Sequence, residues 1–162
     1  MSTANDVIAH SLTASHRMLQ RFTGDLEPAE YLHRPTAKAN CAAWLIGHMT
    51  LSDRYVLKMF GVTDLPTLPD GFENRFSRDE GCPEAGDFGD VSTLMPLFNE
   101  HRTLLVEAVK RATPEQLDKK LEKSMPMFAT VGEFTNFMAQ HTAMHTGQIT
   151  IIRRSLGRPP LI

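Results

Sequence analysis

Apolar residues recur every three or four positions along four long stretches of the chain, and this spacing predicts four amphipathic α-helices. The first covers about 5–23, the second about 40–60, the third starts after Asp90, and the fourth covers 130–157. Helices of this kind bury their apolar stripes against one another. We therefore expect one all-α domain over residues 1–162, a four-helix bundle with no competing strand pattern.

The fourth helix carries start and stop signals at both ends. Thr130 is a good N-cap, and Glu133 three residues later completes a capping box. Gly157 suits the left-handed position after a helix, and the two prolines at 159–160 forbid continuation. Arginines at 153, 154 and 158 are interpreted as charges that complement the helix C-terminus.

A segment rich in glycine and proline at 61–89 has no helical period. Phe72, Phe76 and Phe88 indicate that it packs on the domain, and a short helix is possible over about 72–78. Loops this long are often crossovers or functional lids. We interpret it as a crossover that lets helices two and three run parallel, which gives an up-down-down-up bundle.

Three histidines fall on helical stripes that are predicted to face the core. His141 and His145 are four residues apart, so their Cβ atoms are about 5–6 Å apart on one helix face. His48 lies in the middle of the second helix. Buried imidazoles need partners, and one ion satisfies all three. The pattern predicts a divalent metal, zinc or nickel, because imidazole suits both.

His101 on the third helix has three open interpretations: a fourth ligand, a buried hydrogen-bonded side chain, or a partly exposed one. Ser52, Tyr55 and Gln148 lie one or two turns from the predicted ligands. These three side chains are candidates to hydrogen-bond a substrate or the metal ligands, or they are ordinary polar residues of the helix seams. Asp53 is expected to form a surface pair with Arg54 or a neighbour.

Composition narrows the classes of function. The net charge of −2 gives no electrostatic reason to expect nucleic acid or an anionic membrane as a partner. No apolar run approaches the roughly 20 residues of a membrane span, and the N-terminus lacks the layout of a signal peptide. Cys41 and Cys82 form no disulfide framework, and Cys41 is interpreted as a small apolar residue. We expect a cytoplasmic protein.

The sequence resembles the DinB-like superfamily in four segments. They are WLIGHMTLSDRY at 44–55, HTAMHTGQ at 141–148, LEPAEYLHRP at 26–35 and LGRP at 156–159. The resemblance implies a four-helix bundle, frequent homodimers, and a divalent metal held by His48, His141 and His145. Known activities in such proteins include transfer of low-molecular-weight thiols such as bacillithiol, mycothiol-dependent isomerisation of maleylpyruvate, and hydrolysis of small molecules.

One position departs from the resemblance, because many of these proteins have Glu directly after the first histidine of the last helix. Here that residue is Thr142. The position should face away from the metal, so ligation is unaffected, whereas a supporting or folding role of that carboxylate does not carry over.

Three neutral ligands leave an open position on a divalent ion, which supports either a bound thiolate or a bound hydroxide. Without an adjacent Glu as proton acceptor, thiol transfer to an electrophile is favoured over hydrolysis, with the loop at 61–89 closing over the site. Two alternatives remain: a non-enzymatic, stress-related bundle with a structural metal, and a binding module that uses the acidic loop. The abundance of Met and Phe, like the resemblance, predicts a homodimer, and the site and the resemblance predict a small-molecule substrate.

Overall fold

The computed structural model of the chain describes residues 3–77, 82–83 and 86–161, and most of these are helical. The helices are α1 (Ala4–Thr23), α2 (Ala42–Met59), α3 (Phe72–Phe76), α4 (Leu94–Arg111), α5 (Pro114–Asp118) and α6 (Val131–Ser155). Two short strands, β1 (Lys120–Met125) and β2 (Phe128–Thr130), precede α6. None of the helices in these described ranges is both long and apolar enough to span a membrane.

The β-hairpin corrects the expectation that no strands would form. β1 and β2 pair antiparallel, with Lys120 opposite Thr130 and Met125 opposite Phe128. Pairing satisfies the backbone groups of these extended residues where no helix can. Six- and three-residue strands are too short to show a clear period in the sequence.

The predicted helix ends and stripes are largely confirmed. The side chain of Thr130 accepts from the Glu133 amide, and Glu133 accepts from the Thr130 amide, which completes the predicted capping box. In α1 the whole predicted inner stripe is buried: Ile8, Leu12, Ser15, Leu19 and Phe22. α1 begins at Ala4 with Thr3 as its cap, one residue before the predicted start.

The long helices pack in a ring, with α1 against α4 and α6, and α2 against the same two helices. Their core forms two clusters of apolar side chains. One joins Phe22, Leu45, Phe98 and Ile149, and the other joins Leu12, Val56, Leu105 and Met138. Each cluster takes residues from all four long helices, so neither half of the sequence has a core of its own.

The buried face of α2 differs from the predicted stripe. Met49, Asp53 and Val56 are fully buried, whereas His48 is half-buried and Tyr55 is 42% exposed. The first turns of α2 are buried nearly all round, so apolar residues there do not mark one face. The stripe through His48 and Tyr55 therefore lies at an accessible edge of the bundle rather than in its core.

Asp53 forms a buried ion pair, and the expectation of a surface pair with Arg54 was wrong. Arg102 of α4 donates from Nε to Asp53 Oδ2 at 2.6 Å and from Nη2 to Oδ1 at 2.9 Å. Both side chains are 1% exposed. The same guanidinium donates to Leu12 O and Ser15 Oγ in α1 and to Thr142 Oγ1 in α6. One arginine thus connects all four long helices.

The end of α6 also differs from its interpretation as solvated charge. Arg153 is 2% exposed, donates to the Phe22 carbonyl, and pairs with Asp25. Arg158 pairs with Asp25 and Glu30. These arginines fasten the end of α6 to the end of α1 and the turn that follows it.

The crossover packs on the domain as its phenylalanines predicted, since Phe72, Phe76 and Phe88 are all buried. The possible helix is present as α3 over Phe72–Phe76, while residue 78 lies outside the described residues. Phe76 fits against Gly47 of α2 so closely that a Cβ at Gly47 would overlap its ring. α3 is therefore seated directly on the helix that carries His48.

Candidate metal centre

The fold brings the three predicted histidines together. His48 comes from α2, and His141 and His145 come from adjacent turns of α6. One ring nitrogen of each lies within 4.8 Å of the other two. The ring centroids are 5.2 Å apart for His48 and His141, and 5.4 Å apart for His48 and His145. The three imidazoles therefore face one small volume between two helices.

The rings lie at the edge of the core. His145 is 9% exposed, while His48 and His141 are half-buried. Trp44, one turn before His48, stacks on its ring with a centroid distance of 4.9 Å and an interplanar angle of 4°. This stacking fixes the orientation of His48, and the partial exposure of two rings leaves the cluster open on one side.

Gln148 sets the tautomer of His145. Its Oε1 atom lies 3.3 Å from His145 Nδ1 and also accepts from Asn40 Nδ2 at 3.4 Å. An amide oxygen only accepts, so Nδ1 carries the proton and Nε2 presents a lone pair to the cluster. Burial holds the pKa of His145 below its ordinary value and favours the neutral ring that binds metals.

The donor set fits a divalent metal. The Nε2 atoms of His141 and His145 are 2.9 Å apart. Two nitrogens bound to one ion at about 2.1 Å with tetrahedral angles are roughly 3.4 Å apart, so small ring movements suffice. Two facing lone pairs repel, and either a proton on one nitrogen or a shared cation relieves the repulsion.

His101 does not join the cluster. It is fully buried, its Nδ1 lies 2.8 Å from the Leu97 carbonyl, and its Nε2 lies 3.3 Å from Arg54 Nη1. Facing a carbonyl on one side and a guanidinium on the other, the neutral ring donates from Nδ1 and accepts at Nε2. Of the three interpretations left open by the sequence, the buried hydrogen-bonded side chain is the one observed.

A cavity of about 580 Å³ opens beside His48. Its wall includes Ser52 and Tyr55, two of the residues proposed from the sequence to contact substrate. Ser52 Oγ donates to the His48 carbonyl at 3.0 Å, and the Tyr55 ring meets Phe134 edge to face. Gln148 is not part of this wall but lies behind His145.

The cavity also contains charged residues that the sequence analysis did not single out. Arg54, Lys58 and Glu73 line it together with Phe76 and Ser77 of the crossover. Arg54 and Lys58 are four residues apart and flank the stripe of α2 that carries His48, and this spacing was an available signal. Glu73 comes from the crossover, whose path no local pattern predicts.

Thr142 faces away from the histidines, as expected from its place in the helix. It is fully buried, and its hydroxyl accepts from Arg102 and donates to the Met138 carbonyl. The residue next to His141 therefore belongs to the buried ion-pair network, and it supplies no proton acceptor to the site.

Comparison with known proteins agrees with the fold and the site. The family model described as DinB superfamily matches residues 11–149, which include all three histidines and the Asp53–Arg102 pair. No curated protein matches the chain. A match over most of the length, together with a helical fold and a three-histidine cluster, shows that the chain belongs to the DinB superfamily.

Proposed function

We propose that this chain is a divalent-metal-dependent enzyme of small-molecule chemistry, which transfers a low-molecular-weight thiol to an electrophile. The observation that carries the proposal is the double position of His48. It belongs to the three-imidazole cluster and also lines the cavity of about 580 Å³. A structural metal needs no adjoining space, whereas a reaction needs room for two small molecules.

His48, His141 and His145 would hold the metal, zinc or nickel. When bound by three neutral ligands, a divalent ion lowers the pKa of a coordinated thiol and keeps it deprotonated. Gln148 holds the Nδ1 proton of His145 and so directs Nε2 toward the ion. Asn40 in turn holds Gln148 through the same oxygen atom.

The cavity wall suggests how the reactants are held. Arg54 and Lys58 provide positive charge near His48, which favours thiols or electrophiles that carry a carboxylate or another anionic group. Tyr55 and Ser52 offer hydroxyl groups along the same wall. Phe76 and Phe134 supply apolar surface that excludes water from the reactants.

Hydrolysis is the second candidate, and one observation favours it. Glu73 lines the same cavity and is a carboxylate that can accept a proton from a water molecule. Asp53 cannot take this role, because Arg102 occupies both of its oxygens. The thiol transferase remains the preferred function because Glu73, the one carboxylate that the described residues contribute to this wall, lies on the crossover, outside the helices that hold the imidazoles.

Two further proposals concern the order of the helices within the bundle and the association of two chains. We propose an up-down-down-up order for α1, α2, α4 and α6. Supporting contacts pair Asn5 at the start of α1 with carbonyls at the end of α4, and His16 with Asn99 earlier in α4. We also propose a homodimer, which the exposed Met144 and Ile151 on one face of α6 would support.

The test begins with metal content. Purified protein and a His48→Ala, His141→Ala, His145→Ala variant are analysed for metals, with His10→Ala, exposed on α1, as the matched control. We expect stoichiometric metal in the parent and the control, and none in the triple variant. Equal content in all three would refute the metal site.

Activity is tested with the metal-loaded protein. A panel of low-molecular-weight thiols is offered with a generic electrophile, and ester and amide substrates are offered separately. Thiol conjugation that is lost in the triple variant supports the proposal. Turnover of the esters or amides alone supports the hydrolase, and in that case Glu73→Gln should abolish it.

A further inference from the structure

Two thiols that are far apart in the sequence meet at the start of α2. Cys41 caps this helix and is fully buried, while Cys82 lies in the crossover and is half-buried. Their Sγ atoms are 4.0 Å apart. Local sequence predicts only a small apolar role for Cys41 and cannot reveal this contact, because it spans 41 positions.

A fixed arginine lies against the outer thiol. Arg34 Nη2 lies 2.8 Å from Cys82 Sγ and also donates to the Pro83 carbonyl. The Nη1 atom of Arg34 donates to the carbonyls of Ala37 and Ala39 at 3.3 and 3.2 Å. These carbonyls hold the guanidinium in place without neutralising it, so its charge is available to a thiolate at Cys82.

The environments of the two sulfur atoms shift the pKa values of the two thiols in opposite directions. The hydrogen bond from Cys41, with the nearby Arg34 charge, lowers the pKa of Cys82 to about 6. The same bond to Cys82, together with burial, raises the pKa of Cys41. Both shifts favour the anion at the more accessible sulfur, Cys82, and the protonated thiol at the buried one, Cys41. Such an arrangement is typical of an attacking and a resolving cysteine.

We propose that Cys41 and Cys82 form a peroxide-reactive dithiol. In this scheme Cys82 attacks the oxidant and becomes a sulfenic acid, and Cys41 then converts that sulfenic acid to an intramolecular disulfide. The Cys82 thiolate attacks one oxygen of a hydroperoxide. An S–O bond forms, the O–O bond breaks, and the leaving oxygen takes a proton to become water or an alcohol. Cys82 is then a sulfenic acid.

Cys41 completes the reaction. Its sulfur attacks Cys82 Sγ, an S–S bond forms, the S–O bond breaks, and the departing hydroxide combines with the Cys41 proton as water. The two thiols lose two electrons and the peroxide gains them. Bond formation needs the sulfur atoms to approach from 4.0 Å to about 2.05 Å, a shift of side chains at a loop and a helix cap.

The product would link the crossover covalently to the first residue before α2. The proposal is independent of thiol transfer, because it requires no metal and uses none of the three histidines. Arg34 is a positioning residue in this scheme, since it touches the reacting sulfur but exchanges no atoms.

The first experiment treats the full-length reduced protein with a small excess of hydrogen peroxide. Intact mass should fall by two hydrogen atoms, and non-reducing peptide mapping should find Cys41 joined to Cys82. Cys41→Ser should instead accumulate a sulfenic acid at Cys82 that dimedone traps. Cys82→Ser should leave Cys41 unmodified. Two free thiols after treatment, or a disulfide between two chains only, would overturn the proposal.

The second experiment tests the arginine through a pH profile. Alkylation of Cys82 is followed by peptide mapping in the parent, in Arg34→Gln, and in Arg17→Gln, an exposed arginine of α1 used as the matched control. Loss of the charge moves the thiol toward its ordinary pKa of about 8.5, so alkylation near pH 6 should slow roughly tenfold. Identical profiles for all three proteins would remove Arg34 from the scheme.

Discussion

The buried pair between Asp53 and Arg102 gives the sharpest stability prediction. We consider Asp53→Leu, Arg102→Met and the double variant, which replace charged side chains by apolar ones of comparable size. Each single variant leaves one full charge in a site where both side chains are 1% exposed. We expect each to lower the free energy of unfolding by about 3–5 kcal/mol.

The double variant should recover most of that loss. It removes both charges at once, and the other partners of Arg102 keep bonds of their own. Thr142 still donates to the Met138 carbonyl, and Ser15 still donates to the Leu12 carbonyl. With no charge left unpaired, we expect the double variant within about 2 kcal/mol of the parent protein.

The assay is urea denaturation followed by circular dichroism, with chelator present so that metal binding does not contribute. Glu107→Gln is the control, because Glu107 pairs with Lys110 and Arg111 on the exposed side of α4 and should leave the midpoint unchanged. If both single variants lowered the free energy of unfolding by less than about 1 kcal/mol, the expected cost of an unpaired buried charge would be refuted. A double variant as unstable as the sum of the single ones would refute the pairing.

Three further predictions concern the site, the pH response and assembly. Gln148→Leu frees the Nδ1 atom of His145, so the metal dissociation constant should rise about 10–100-fold in a chelator competition assay. Burial lowers the pKa of His101, so the unfolded chain takes up its proton first. Stability of the chelated protein should therefore be full above pH 6.5 and fall below it, less steeply in His101→Gln. Met144→Lys with Ile151→Lys should give a monomer by light scattering, since both side chains are more than half exposed on one face of α6.

Each of these has a contrary result, and the first two have a matched control. Gln140→Leu, exposed on the same helix, should leave metal affinity unchanged, and an equal effect of both changes would contradict the role of Gln148. His10→Gln should keep the parent's pH dependence, and a parent whose stability rises on acidification would contradict the sign for His101. A parent protein that is already monomeric would end the dimer prediction.

The sequence predicted the features that depend on local spacing. The capping box of Thr130 and Glu133, the inner stripe of α1, and the grouping of His141 with His145 all follow from separations of three or four residues. His48 could be added because a buried imidazole on a second helix needs a partner. The family resemblance, carried by short motifs, is confirmed by the match over residues 11–149.

The features that the sequence did not predict depend on contacts between distant residues. Asp53 and Arg102 are 49 positions apart, and an aspartate next to an arginine looks like a surface pair until the rotation of α2 is known. Cys82 and Glu73 lie in a segment without a period, so nothing local places them near α2. The hairpin before α6 is the exception, because it pairs nearby residues, Lys120 with Thr130 and Met125 with Phe128, in strands too short to show a period.

The close fit of Gly47 against Phe76 ties the shape of the cavity beside His48 to a single glycine. Gly47 is the residue directly before His48, and Phe76 forms part of the same cavity wall. Adding a single methyl group at position 47 would push the Phe76 ring, and α3 with it, away from α2. Such a change would alter the shape of the cavity while leaving every imidazole in place. Position 47 therefore controls the shape of the cavity although it contributes no ligand atom to the histidine cluster.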